Sequence, residues 1–343
     1  MVDPKLSDIL GILPFPALAI TAEEKISFMN VMAMQLFGQG LIGRHYVNAL
    51  RYPNLLDAIE ATLKDKELRN ARYQGNIAQR EVVYEVSCNF DLSDHLILIF
   101  DDKSGIEDAN QMRRDFIANV SHELKTPLTA LIGFVETLQA TAKDDPNARE
   151  QFLAIMKSEA QRMDRLIADL LSLSRVEASE RVRPTQRVNL KDAVTESIEA
   201  LVPLIEKSNP KLVMELSKSP IEVMGEGDQL RQVFINLLEN AIKYGKNGGV
   251  ITISLSEPYY EPKLRKDAVS LSVKDKGIGI DPIHIPRLTE RFYRVDTHRS
   301  REMGGTGLGL AIVKHIMNRH RGRFMIDSTL GIGTEVKLLL PVY

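Results

Sequence analysis

The sequence predicts a multidomain protein: a small α+β domain, an antiparallel helical hairpin and an α/β domain, in that order along 343 residues. Three observations carry this. The first hundred residues alternate short apolar runs with turns. A middle block shows only helical periodicity. The remainder alternates helical patterns with β-branched strands.

In the first block, Leu18–Ile20 and Ile26–Met29 flank a polar turn, and Val82–Val86 and Leu96–Phe100 read as two further strands. Between them Leu55, Ile59 and Leu63 recur at helical spacing over 54–68. In the second block, Ser104-Gly-Ile-Glu107 has the form of a capping box, predicting that Ser104 caps the helix it opens. Phe116, Val120, Leu124, Leu128, Leu131, Phe134 and Leu138 then form one apolar face. Asp145-Pro146 supplies an N-cap and a first-turn proline for a second helix. Its apolar face is Phe152, Met156, Met163, Ile167, Leu170 and Leu173. The connection at 140–146 is short, so the helices run antiparallel. Two helices with one stripe each do not close a core, which predicts a homodimer forming a four-helix bundle. Val250–Leu255, Val269–Val273 and Glu335–Leu340 are strands of the last block. The predicted boundaries are 1–103, 104–180, a polar linker over 181–187, and 188–343.

Composition narrows the function. With 44 basic and 46 acidic residues the formal charge is −2, without the basic excess of a nucleic-acid binder. The single cysteine, Cys88, excludes an intramolecular disulfide framework and fits a reducing compartment. The apolar run from Ile9 to Ala22 contains Pro14 and Pro16 and is too short to cross a bilayer. As it stands the chain reads as cytoplasmic; a longer chain with an upstream anchor would sit at the inner membrane.

Four patterns in the last block point at one nucleotide. Asn236-Leu-Leu-Glu-Asn240-Ala-Ile-Lys243-Tyr244 places Asn236, Asn240 and Lys243 on one helix face. An amide oxygen at Asn240 suits Mg²⁺, and Lys243 suits phosphate. A plain amphipathic helix would show the same spacing. Asp275-Lys-Gly277-Ile-Gly279 follows an apolar strand, offering an acceptor for an exocyclic amino group and backbone that a ligand can approach. Gly304-Gly305-Thr306-Gly307-Leu308-Gly309 feeds a helix N-terminus, an arrangement that favours phosphate. Pro282 and Ile312 stand where a dinucleotide fingerprint needs glycine, and no Walker A string occurs. Between the glycine motifs, Arg287, Arg291, Arg294, Arg299 and Arg301 read as a basic lid, with Arg294 singled out.

Phe116-Ile-Ala-Asn-Val-Ser-His122-Glu123-Leu-Lys-Thr126-Pro127 is the most specific string. His122 and Thr126 project from one helix face, and the Glu123 carboxylate is in reach of the imidazole edge. A carboxylate that accepts the proton of one ring nitrogen makes the other more nucleophilic. Pro127 removes the helical donor for the Glu123 carbonyl. The other histidines, His45, His95, His284, His298, His315 and His320, read as ordinary surface residues.

This string resembles the H-box of two-component sensor histidine kinases. The later segments are similar to that family's N, G1, F (Glu290-Arg-Phe-Tyr-Arg294) and G2 boxes, in order. The resemblance covers about 104–343 and implies a Bergerat-type, α/β-sandwich ATP-binding domain behind a phosphotransfer hairpin. It implies that His122 is the phosphoacceptor, Glu123 its base, and Asn240 the Mg²⁺ ligand, with Asn236 near the metal waters. Lys243 and Tyr244 match phosphate and adenine contacts, Asp275 the adenine acceptor, and Gly277, Gly279, Gly305, Thr306, Gly307, Leu308 and Gly309 the nucleotide loops. It further implies ATP and Mg²⁺ as cofactors, phosphotransfer to a separate response regulator, and regulator dephosphorylation involving Thr126. The first hundred residues look like a PAS domain, through Asn30 before a short helix and the closing Ile97-Leu-Ile-Phe-Asp-Asp. Arg51-Tyr-Pro-Asn-Leu is similar to a segment of the phosphate-regulon sensor kinases, which implies a PhoB-like regulator as partner. A mechanical ATPase of the gyrase type would lack the H-box. A kinase-dead scaffold would keep the hairpin, and transfer of a labelled γ-phosphate separates it from a kinase.

Overall fold

The computed structural model describes residues 4–77, 80–90, 94–140, 143, 145–245, 248–296 and 305–342. They form two compact units, Met1–Ala118 and Asn119–Tyr343.

In the first unit, α1 (Pro4–Ile12) leads into β1 (Ala17–Ile20), β2 (Ile26–Met29), α2 (Val31–Phe37), α3 (Pro53–Asp65), β3 (Arg69–Ile77), β4 (Arg80–Phe90) and β5 (Leu96–Asp102). The five strands make one antiparallel sheet in the order β2-β1-β5-β4-β3. Strand alternation sends Leu18, Ile20, Val86, Leu98 and Phe100 to one face, where Leu55 and Ile59 of α3 complete the core. Ala17 and Ala19 face the other way and pack with Leu10 of α1. Asn30 is buried, which is unfavourable for an amide unless it is satisfied. Its oxygen caps α2 by accepting from Ala33 N at 2.9 Å and also accepts from Ala17 N at 3.0 Å. Its amide donates to the carbonyl of Phe15 at 2.8 Å. One side chain thus ties the start of β1 to the start of α2.

Two elements here escape sequence reading. β3 (Arg-Asn-Ala-Arg-Tyr-Gln-Gly-Asn-Ile) is polar and glycine-bearing, and holds its place as the sheet's edge by pairing with β4. α1 (Pro4–Ile12) is the other, and it overlaps the apolar run only at residues 9–12. The capping box is also corrected. Ser104 is the first residue of α4 (Ser104–Gln139), and its hydroxyl accepts from Val83 N of β4 at 2.9 Å. The Ser104 N–H donates to Asp102 at 2.8 Å, and Glu107 N donates to the Lys103 carbonyl. A buried strand N–H takes the hydroxyl that the box required for the helix.

The second unit holds the rest of α4, from Asn119 on, and α5 (Pro146–Ser179). Asp145 caps α5 as predicted, accepting from Asn147 N and Ala148 N at 3.0 Å. Residues 141, 142 and 144 of the predicted hairpin connection lie outside the described residues. The Phe134 and Phe152 rings of the two helices meet in a tilted contact, centroids 5.4 Å apart. Leu128 and Ile167 of the two stripes, with Ile117 and Ile132 outside them, are about half exposed, so apolar surface of the hairpin is not closed within one chain. Leu166, Leu173 and Val176 of α5 are instead buried, where α5 packs on α9 (Gly309–Arg319).

The α/β part begins with β6 (Gln186–Asn189), so the predicted linker ends before Gln186. It continues through α6 (Leu190–Ala200), α7 (Val202–Ser208), β7 (Lys211–Leu216), β8 (Glu222–Gly225), α8 (Gly227–Tyr244), β9 (Val250–Leu255), β10 (Tyr259–Glu261), β11 (Lys266–Asp275), α9, β12 (Arg323–Thr329) and β13 (Gly333–Pro341). The main sheet runs β12-β13-β11-β9-β7, with β10 paired to β11. Helices α8 and α9 pack on it through Val233, Phe234, Leu237, Ile312 and Ile316, all essentially inaccessible. Among the described residues no helix is long and apolar enough to cross a membrane.

Candidate functional site

A cavity of about 710 Å³ opens between α8, the end of β11 and the segment preceding α9. Helix α8 turns Leu230, Val233, Phe234, Leu237, Leu238 and Ala241 to the core. At 3.6 residues per turn this leaves Asn236, Asn240 and Lys243 on the cavity side, where all three line it with Tyr244. Lys243 donates to Glu239, one turn back, at 2.6 Å. Asn236 Nδ2 is buried without a hydrogen-bond partner among the described residues, a donor aimed at something the protein does not supply.

Asp275 closes β11 and is buried in the cavity wall. Burial raises its carboxyl above the usual range, while hydrogen bonds from the backbone of Gly277 and Thr334 pull the other way. The Gly277 N–H lies 2.7 Å from Asp275 Oδ1. The glycines serve the protein's own packing more directly than the sequence implies. Gly279 has φ +67°, and a Cβ there would lie 2.0 Å from the Thr329 carbonyl oxygen. Gly307 has φ +74°, and its Cβ would meet the Phe292 backbone at 2.9 Å. Neither position accepts a side chain. Gly305, Thr306 and Gly307 line the cavity, followed by Leu308, the N-cap of α9, and Gly309, its first residue. Gly304, His298, Arg299 and Arg301 lie outside the described residues, so the lid expectation is not reached there.

Arg294 is no solvated lid residue. Its side chain is 5% exposed, and Nη2 donates to Glu123 Oε2 at 3.1 Å and to the Thr306 carbonyl at 2.9 Å. The clasp engages one oxygen of the Glu123 carboxylate, Oε2. Arg162 of α5 holds the same carboxylate oxygen at 2.9 Å. His122 itself is exposed, as is Thr126, whose hydroxyl donates to the His122 carbonyl at 3.1 Å.

Sequence reading missed Asp169, whose carboxylate accepts from the Thr306 hydroxyl at 2.6 Å and which lines the cavity beside Arg165. It also misplaced three histidines. His315 meets Glu180 at 2.7 Å, His284 meets Tyr293 OH at 2.6 Å, and His320 is buried. His320 Nε2 accepts from Glu226 N at 3.1 Å, so the neutral ring with its proton on Nδ1, facing the Ile316 carbonyl, satisfies both nitrogens. Burial lowers its pKa accordingly. Nothing local in the sequence distinguishes these histidines from surface ones.

Two family models match the chain. Residues 112–179 match the His Kinase A (phospho-acceptor) domain. Residues 225–343 match the histidine kinase-, DNA gyrase B- and HSP90-like ATPase. A sensor protein kinase WalK of Staphylococcus aureus is 30% identical over 332 residues, which is 92% of this chain and 76% of that one. The chain belongs to the two-component sensor histidine kinases. The phosphate regulon sensor protein PhoR of Pseudomonas aeruginosa is 40% identical over 241 residues, 70% of this chain and 52% of PhoR. This sensor kinase chain spans about half the length of several of the curated relatives it matches. In fold it is similar to histidine kinase ThkA, solved in complex with the response regulator TrrA, with a TM-score of 0.54 over 98% of both chains at 22% identity. The gyrase-type alternative thereby falls away, since the phosphoacceptor domain accompanies the ATPase fold.

Proposed function

We propose that this sensor kinase transfers the γ-phosphoryl group of ATP to His122 and then to an aspartate of a separate response regulator. The observation that carries the reading is Arg294. One guanidinium spans Glu123, next to the histidine, and Thr306 of the nucleotide loop, so one residue of the ATP-binding part touches both halves of the reaction. Asp275 accepts the adenine amino group, with Tyr244 beside the base. Lys243 and the loop N–H groups of 305–309 take the phosphates. Asn240 supplies the amide oxygen for Mg²⁺, and the orphaned Asn236 amide suits a metal-bound water or a phosphate oxygen. When bound, Mg²⁺ neutralises charge on the β- and γ-phosphates.

The His122 ring nitrogen facing the nucleotide forms the P–N bond as the bond from phosphorus to the ADP oxygen breaks. Glu123 takes the proton of the other ring nitrogen. Arg294 remains beside the loop to offset charge on the moving group. Purified chain incubated with MgATP should acquire acid-labile, alkali-stable phosphate and release ADP, then lose the label to one response regulator in a profile against many. Absence of any label overturns the reading.

The half-exposed apolar surface of the hairpin supports a homodimer closing a four-helix bundle. Light scattering should give twice the 38.5 kDa chain mass, and a monomer at micromolar concentration contradicts it. The sheet order of the first unit, with α2 and α3 over one face, supports a PAS-type sensor domain over 1–103. The PhoR similarity supports a phosphate-responsive role and a PhoB-like regulator.

Thr126 is proposed to orient a water for regulator dephosphorylation. Its hydroxyl proton is committed to the His122 carbonyl, which leaves oxygen lone pairs exposed one turn from the phosphoacceptor. Thr126→Ala is expected to lower regulator dephosphorylation about tenfold or more while autophosphorylation stays within about twofold. Equal loss of both activities would make the role structural.

A further inference from the structure

The Thr306 hydroxyl is the side-chain donor of the phosphate loop, and it is already taken. It donates to Asp169 Oδ2 of α5 at 2.6 Å while accepting from Leu308 N at 3.3 Å. Arg294 holds the carbonyl of the same residue. Asp169, Thr306, Asn240 and Lys243 line a single cavity. The lysine of the lining is also engaged, because Lys243 is paired with Glu239. Burial pushes the Asp169 carboxyl up and Glu239 adds to this, while the Thr306 hydroxyl, Lys243 and Arg165 favour the charged form. A phosphate loop ordinarily presents donors and positive charge to its ligand. Here one donor faces a carboxylate, and the Lys243 ammonium is partly neutralised by Glu239.

We infer that Asp169 is a specificity-determining residue of the nucleotide site: its carboxylate holds on Thr306 the position a terminal phosphate oxygen would take. With α5 docked, the site favours a nucleoside diphosphate. A third phosphate competes for Thr306, meets the Asp169 charge, and has to displace α5 from the loop. The diphosphate product is then retained with the hairpin docked, and the triphosphate substrate is admitted as the hairpin lets go. This rests on the nucleotide reading of the cavity.

The test measures binding of MgADP and of the non-hydrolysable MgAMPPNP to the full chain by calorimetry. Wild type, Asp169→Asn and Asp169→Ser are compared, the serine variant excluding a residual amide bridge to Thr306. Both variants should bind MgAMPPNP about tenfold more tightly, as removal of one nearby negative charge predicts, with MgADP changed less than about twofold. An unchanged ADP-to-AMPPNP ratio in folded variants overturns the proposal alone. Weaker AMPPNP binding also overturns it, since the carboxylate would then serve the triphosphate. Wild-type chain that binds neither nucleotide overturns the nucleotide reading itself.

Discussion

Replacing His122 with glutamine should abolish phosphorylation of this chain by ATP, leaving label at background after acid and alkali partition. Glutamine keeps the length and polarity of the side chain but has no ring nitrogen with a lone pair to form a P–N bond. His122 is exposed, so the change removes no packing and leaves no buried group unpaired. The thermal midpoint should therefore stay within about 2 °C. Nucleotide affinity should also be preserved, because the Asn240, Lys243 and Asp275 cavity lies on other elements. Label that persists in the folded variant would move the phosphoacceptor elsewhere.

Asn240→Ala should reduce autophosphorylation on the order of a hundredfold or more, because a lost metal contact removes several kcal/mol of charge stabilisation as the phosphoryl group moves. The fold should survive. Asn240 is on the cavity face of α8, while Leu237, Leu238 and Ala241 beside it carry the packing. Alanine is also the better helix former. The deficit should shrink as Mg²⁺ is raised, since the phosphates still hold the ion. A folded variant with normal activity across the Mg²⁺ range would exclude Asn240 from the metal site.

Much of the architecture is legible locally. Asp145-Pro146 caps α5 because both the acceptor and its N–H donors lie within three residues. Helices α8 and α9 announce themselves by buried residues three and four apart. β3 does not, because an edge strand needs no apolar face and takes its stability from the neighbour it pairs with. Ser104 shows the same limit. Its sequence context satisfies a capping rule, and a strand N–H brought close by the fold takes the hydroxyl.

The sequence by itself determined the chemistry available: a histidine with an adjacent carboxylate on one helix, and amides, a lysine, a buried aspartate and glycines arranged for a nucleotide. These are patterns within a few turns of chain, and helix and strand geometry is enough to place each set on one face. Only the tertiary structure decided how the sets meet. Arg294 reaches Glu123 across 171 positions and Asp169 reaches Thr306 across 137. Contacts at such separations depend on how whole helices pack, and an isolated arginine or aspartate in sequence carries no mark of the partner that packing will bring to it.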